Sequence, residues 1–190
     1  MIKLAVFLGN PGINYKKTRH NAGWMVLDAM EGADSIRWQD KWNSQLGEIQ
    51  NPGGKIRILK PLILMNLSGL PVSRAAVFFN LEPDEILVVH DDLELDFGTI
   101  HDRFGGGLGG HKGLKSIKEH LGSTNFYRIR FGISRPVHGS VSSWVLGRFD
   151  QEEEPLLSLV LQGAADLAER RISGTAGDPA GNRPVRVLQF

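Results

Sequence analysis

A chain of 190 residues, 41% hydrophobic and 23% charged, has enough apolar material for one self-supporting domain, and its net charge of +1 by itself points to no class of partner. Cysteine is absent, which excludes a disulfide framework and any thiolate metal site and fits a reducing compartment. The N-terminal apolar run Ile2–Leu8 contains Lys3 and is too short for a signal-peptide core or a membrane span, so the expectation is a cytoplasmic protein with no membrane partner.

In chain order, Ile2–Leu8 reads as a buried strand stopped by the turn "GNPG" at 9–12. Ala22, Met25, Val26, Ala29 and Met30 recur at helical spacing and predict an amphipathic helix over 20–31. After the turn "NPGG" at 51–54, Ile56 and Ile58 predict a strand to Lys60. Ser68 or Ser73 can cap a helix through Phe79, and Ile86–Val89 is a short β-branched strand. Leu114, Ile117 and Leu121 mark one face of a helix, and Phe126–Ile133 alternates as a strand. Leu157, Val160, Leu161, Ala164 and Ala168 give a last helix, preceded by the acidic run "DQEEE", which suits a helix N-terminus. Residues 173–190 are rich in Gly and Pro and are expected to be a poorly ordered tail, with Val185–Phe190 able to dock. Strands alternating with helices predict a single compact α/β domain over 1–190, built on a central mixed, largely parallel sheet flanked by helices.

Charge is distributed unevenly. Residues 81–102 hold eight acidic side chains and no lysine or arginine. Residues 103–135 hold seven basic ones (Arg103, Lys112, Lys115, Lys118, Arg128, Arg130, Arg135) against Glu119 alone. Such a block suits a polyanion, and nucleic acid is the commonest large one, although mixed solvated surfaces also cluster charge by chance.

Five stretches carry chemistry. "LGNPG" places Asn10 at the carboxyl end of the first strand, the edge where open α/β sheets bind ligands, but Asn-Pro-Gly is also an effective turn. "TRHNAG" puts His20 at a helix start, where imidazole can act as a general base or serve as a packing residue, and Thr18 or Asn21 can be the cap. "HDD" sets Asp91 at another strand end, where a buried carboxylate can hold an imidazole in one tautomer. Its acidic neighbours Asp92, Glu94 and Asp96 would also permit Mg²⁺ or Ca²⁺, but show no regular ligand spacing, so no metal is expected. "LILMNLSG" brings Asn66 to a further strand end, where a turn role is equally open. "GGGLGGHKG" at 105–113 has six glycines in nine residues, which lets a partner lie against backbone next to a helix start that favours anions. There is no Rossmann fingerprint, Walker motif, G-x-S-x-G or H-E-x-x-H, and cysteine is unavailable as a nucleophile. A hydrolase of this composition would use water as nucleophile and histidine as base.

Taken together, these stretches resemble the bacterial-type peptidyl-tRNA hydrolases, whose motifs GLGNPG, Tyr, TRHN, MNxSG, HDDLDLPxG and GGGxGGHNGL appear here in order. The chain reads "FLGNPGINYKKTRHNAG", "LILMNLSG", "HDDLELDFG", "GGGLGGHKGLKSI" and "YRIRFGISRP" over roughly residues 1–172. The resemblance implies a monomeric α/β enzyme, without cofactor, that cleaves the ester between a peptide and the 3′-terminal ribose of tRNA. It makes His20 the general base, Asp91 the carboxylate that orients it, Asn10 the residue that tells blocked from free aminoacyl ends, and Asn66 a positioner of the scissile group. It puts Tyr15 and Leu64 in contact with the CCA end and acceptor stem of tRNA. Arg103 and Arg130 fall at the tRNA 5′-phosphate, and His111 in a mobile loop that gates the cleft.

The chain departs from the family pattern in places. Lys112 stands where the family has Asn, replacing a group that donates and accepts with one that only donates. Its ammonium could meet phosphate or the oxyanion and sustain activity, or sit against His20 or Asp91 and weaken the base. Phe7 replaces Gly, Leu64 stands where an aromatic residue is usual, "LELDFG" replaces LDLPxG, Ser134 in "GISRP" departs as well, and "HDRF" thins a basic segment. The competing expectations are an RNA-binding protein without turnover on the same scaffold, and a nucleotide hydrolase, which the missing Walker lysine disfavours.

Overall fold

A computed structural model describes residues 1–51, 54–179 and 183–188. The strands are β1 (Leu4–Phe7), β2 (Gln39–Lys41), β3 (Ser44–Asn51), β4 (Gly54–Pro61), β5 (Ile86–Asp92), β6 (Thr99–Phe104), β7 (Tyr127–Gly132) and β8 (Val185–Arg186). The α-helices are α1 (Ala22–Ala29), α2 (Gly69–Phe79), α3 (Lys112–Leu121), α4 (Val141–Val145) and α5 (Glu154–Ser173). The strands form one mixed sheet in the order β2-β3-β4-β1-β5-β7-β6-β8. Parallel pairing belongs to the central four, β4, β1, β5 and β7, while both flanks are antiparallel.

Alternation along the central strands builds two cores. Ala5, Phe7, Leu87, Val89, Ile129 and Phe131 face α1 and α5 on one side of the sheet. Leu4, Val6, Val88 and Leu59 face α2 and α3 on the other. Burial on both faces explains why β1 and β5 read as continuous apolar runs. Because β4, β1 and β5 run parallel, their carboxyl ends share one edge, and the turn after β1 and the last residues of β5 meet there.

Two glycines set how closely the helices approach that edge. A Cβ at Gly23 would lie 2.5 Å from Leu8 O and 2.6 Å from Val89 O, so α1 rests directly on the ends of β1 and β5. A Cβ at Gly69 would lie 2.1 Å from Ser116 O, which lets α2 and α3 touch by backbone.

Part of the tail docks on the sheet. β8 pairs antiparallel with Thr99 and Ile100, and Leu188 is buried against Gly98, which has no Cβ to fill that slot. The exposed edge of β6 is thereby paired. Residues 180–182, 189 and 190, and the middle of the "NPGG" turn at 52–53, lie outside the described residues. No helix among the described residues is long and apolar enough to cross a membrane.

Candidate active site

At the shared carboxyl edge lies a cleft of about 630 Å³. Asn10, Tyr15, His20, Leu64, Asn66, Asp91, His111 and Lys112 all line it. Arg103 and Arg130 do not. They stand on β6 and β7, and Arg130 is buried with its Nε donating to Asp92 Oδ2 at 2.7 Å and its Nη1 3.0 Å from His101 Nδ1.

His20 sits in a short 3₁₀ turn, Arg19–Asn21, ahead of α1 rather than inside it. Its Nδ1 lies 2.9 and 3.0 Å from the two oxygens of Asp91. A carboxylate only accepts, so Nδ1 carries the proton, and Nε2 is left with a lone pair on a ring that lines the cleft. Burial opposes protonation of His20, but the charge of Asp91 and its hydrogen bond together outweigh it and raise the pKa above the usual value, with Lys112 pulling in the other direction.

A second imidazole reaches the same carboxylate. His111 caps α3, its Nδ1 accepting from Gly113 N at 3.1 Å and Leu114 N at 3.3 Å. A ring nitrogen that accepts is unprotonated, so the ring proton is on Nε2, which donates to Asp91 Oδ1 at 3.0 Å. Burial would raise Asp91, yet the two imidazoles hold it well below the usual carboxylate range. Beside them, His90 is fully buried and its pKa is pushed down to about 3 by burial and then by His111, which keeps it neutral. His20, Asp91 and His111 also form a group whose ligand atoms lie within 4.8 Å of one another. A cation there would have to displace both imidazole protons that now bind Asp91.

The amides divide in role. Thr18 and Asn21 make no side-chain cap bonds; Asn21 instead locks Asn10, accepting from Asn10 N at 2.9 Å and donating to Asn10 O at 3.0 Å. Asn10 Oδ1 accepts from Met65 N at 2.8 Å, which leaves its Nδ2 as the free donor in the cleft. Asn66 lies not at a strand end but five residues beyond β4, exposed in a 3₁₀ turn over Met65–Leu67. Lys112 opens α3, is exposed, and makes no ion pair with Asp91. The acidic neighbours are engaged elsewhere, Asp92 by Arg130 and Glu94 by Arg135.

The sequence reading missed the far wall of the cleft, made by Val141, Val145 and Leu146 of the α4 segment. Arg19 fastens it. Its guanidinium, 1% exposed, lies 3.7 Å over the Trp144 ring, donates to Arg148 O, and pairs with Asp150 and Glu153. The signal was present in the "TRHN" stretch, but its partners lie more than 120 residues away.

A cleft at the carboxyl edge of a mixed sheet, with an imidazole pinned to a buried carboxylate, defines an α/β enzyme. The peptidyl-tRNA hydrolase family model matches residues 4–180, and the chain belongs to that family of hydrolases. The peptidyl-tRNA hydrolase of Geotalea uraniireducens is 45% identical over 173 residues, covering 90% of this chain and 91% of its own length. That of Listeria welshimeri is 41% identical, over 88% of this chain and 92% of its own. The crystal structure of the Acinetobacter baumannii enzyme superposes with a TM-score of 0.79 at 36% identity, covering 90% of this chain and 86% of that one.

Proposed function

We propose that this chain hydrolyses the ester joining a peptide to the 3′-terminal ribose of tRNA, with water as nucleophile and His20 as general base. The observation that carries the reading is the bond from His20 Nδ1 to Asp91 inside the cleft. His20 Nε2 takes a proton from water as its oxygen attacks the ester carbonyl; the C–O bond to the ribose then breaks, and the 3′ oxygen leaves with a proton as the free hydroxyl. Asp91 orients the imidazole and stabilises the imidazolium. Asn10 Nδ2 is placed to donate to the peptide side of the scissile group, and one such donor to a developing oxyanion is worth about 3–4 kcal/mol. Asn66, next to the Met65 amide that donates to Asn10, positions the group from the same side of the cleft.

The remaining cleft residues, Tyr15, Leu64 and Lys112, meet the CCA end, with Lys112 supplying positive charge. Arg103 and Arg130 serve the acceptor-stem phosphate, Arg130 after exchanging part of its bond to Asp92. Recognition of ends and backbone suits an enzyme that accepts every tRNA. The chain acts as a monomer in the cytoplasm and needs no cofactor. Turnover of N-acetyl-aminoacyl-tRNA in chelator-treated buffer, yielding the free N-acetyl amino acid and tRNA with an intact 3′ hydroxyl, is the expected result. Tight tRNA binding with no release would replace this reading with an RNA-binding role.

A further inference from the structure

Arg128 has no part in that scheme. It stands on β7, two residues from Arg130 and in register with Arg103 of β6, and is 1% exposed. Among the described residues it makes no ion pair with a carboxylate, and the charge of Asp92 offsets its burial only in part. Nη1 donates to Gly107 O at 2.9 Å and Nη2 to Gly105 O, while Nε is buried without a partner. Burial, then the charges of Arg103 and Arg130, push its pKa down to about 10.

A buried guanidinium without a carboxylate is costly, so the two carbonyls are its compensation. They come from the loop that needs fixing. Gly105, Gly106, Gly109 and Gly110 all have positive φ, between 56° and 81°, so this segment has little conformational preference of its own. Arg103 packs on it too: a Cβ at Gly106 would lie 2.6 Å from Arg103 Nη2. The loop runs from the Arg128 bonds directly into His111, which donates to Asp91. Only Leu108, Gly109 and Gly110 separate the last bonded carbonyl from that histidine.

We infer that Arg128 is a positioning residue: by holding the carbonyls of Gly105 and Gly107 it fixes the glycine loop so that His111 stays on Asp91. The inference rests on the proposed role of His20 and Asp91 in hydrolysis. Arg128 is fifteen residues beyond the loop in sequence and touches none of the reacting groups, so its effect passes through the loop.

The test compares wild type, Arg128→Met, Arg128→Lys, His111→Ala and the double variant Arg128→Met/His111→Ala. Turnover of N-acetyl-aminoacyl-tRNA and amide exchange over 105–114 are read on each. Arg128→Met is expected to lower kcat on the order of 10- to 100-fold with a smaller change in KM, and to speed loop exchange. Arg128→Lys, keeping one donor group and the charge, should recover part of both. The double variant should be no slower than the slower single variant, because both act through one contact. Fully additive losses, or loop exchange equal to wild type, would overturn the inference. If Arg128→Met does not fold, Gly110→Ala strains the loop at a φ of 73° with no neighbour within 4 Å of the added methyl, so the sheet is left alone, and it must show the same non-additivity with His111→Ala; additivity there overturns the inference equally. A wild type that binds tRNA without turnover would defeat the hydrolase reading, and loop exchange in Arg128→Lys would still decide whether Arg128 holds the loop.

Discussion

His111 donates from Nε2 to Oδ1 of Asp91, the oxygen that also receives His20 Nδ1, so one carboxylate holds two imidazoles. Asp91→Asn replaces an acceptor of both protons by an amide that can accept at one atom only. The loss in kcat is expected to be about 10³- to 10⁴-fold, the size seen when a carboxylate that fixes a catalytic imidazole's tautomer is removed. Single-turnover rates with N-acetyl-aminoacyl-tRNA measure this; a loss under tenfold would mean Asp91 does not orient the base.

The pH profile follows from the same contact. His20 must be neutral to act as base, and its pKa is raised above 6.5 because the charge and hydrogen bond of Asp91 together outweigh burial. Activity is therefore expected to fall as pH drops through a value above 6.5. Lys112 favours the neutral imidazole, so Lys112→Met should move that acid limb to still higher pH. A limb moving to lower pH would show that Lys112 exerts no such repulsion.

Ser134 has φ of 57°, a left-handed conformation that costs a non-glycine residue about 1 kcal/mol. Its Oγ accepts from Phe97 N at 2.9 Å, a bond worth about 1 kcal/mol. The two terms nearly cancel, so Ser134→Gly is expected to leave stability unchanged within about 1 kcal/mol, whereas Ser134→Ala keeps the strain, loses the bond and costs about 1–2 kcal/mol. Urea denaturation distinguishes them; equal stabilities for the two variants would contradict the account.

Gly23 sets the distance between α1 and the ends of β1 and β5. Gly23→Ala puts a methyl 2.5 Å from Leu8 O, and overpacking of this kind costs about 1–3 kcal/mol. Because His20 precedes α1 directly, the displaced helix should carry the imidazole away from Asp91 and lower kcat as well. Thermal melts and turnover check both; lowered stability with unchanged kcat would uncouple α1 from the base.

The central strands were legible because they depend on local pattern, apolar runs stopped by polar residues, whereas the His20–Asp91 pairing spans 71 residues and was implied only by the family resemblance. The β2–β3 hairpin was not. Its turn places Trp42 and Asn43 at φ of 55° and 54°, where glycine or asparagine would signal a two-residue turn, and the tryptophan hides it. Strand β6 was missed because it buries His101 and Asp102, which face Arg130 and Arg171 and break the expected alternation. His111 read as a gate residue, but its bond to Asp91 depends on how the glycine loop folds back, which spacing does not encode. Arg19 and the α4 wall depend on contacts made across most of the chain.

The most direct measurement is release of the N-acetyl amino acid from N-acetyl-aminoacyl-tRNA by wild type and by His20→Ala, with tRNA affinity measured in parallel. The account predicts turnover by the wild type that is lost in His20→Ala, while the Kd for tRNA stays within a few-fold. Turnover that survives without His20 would contradict it, since no other imidazole in the cleft has a ring nitrogen free to take the proton from water.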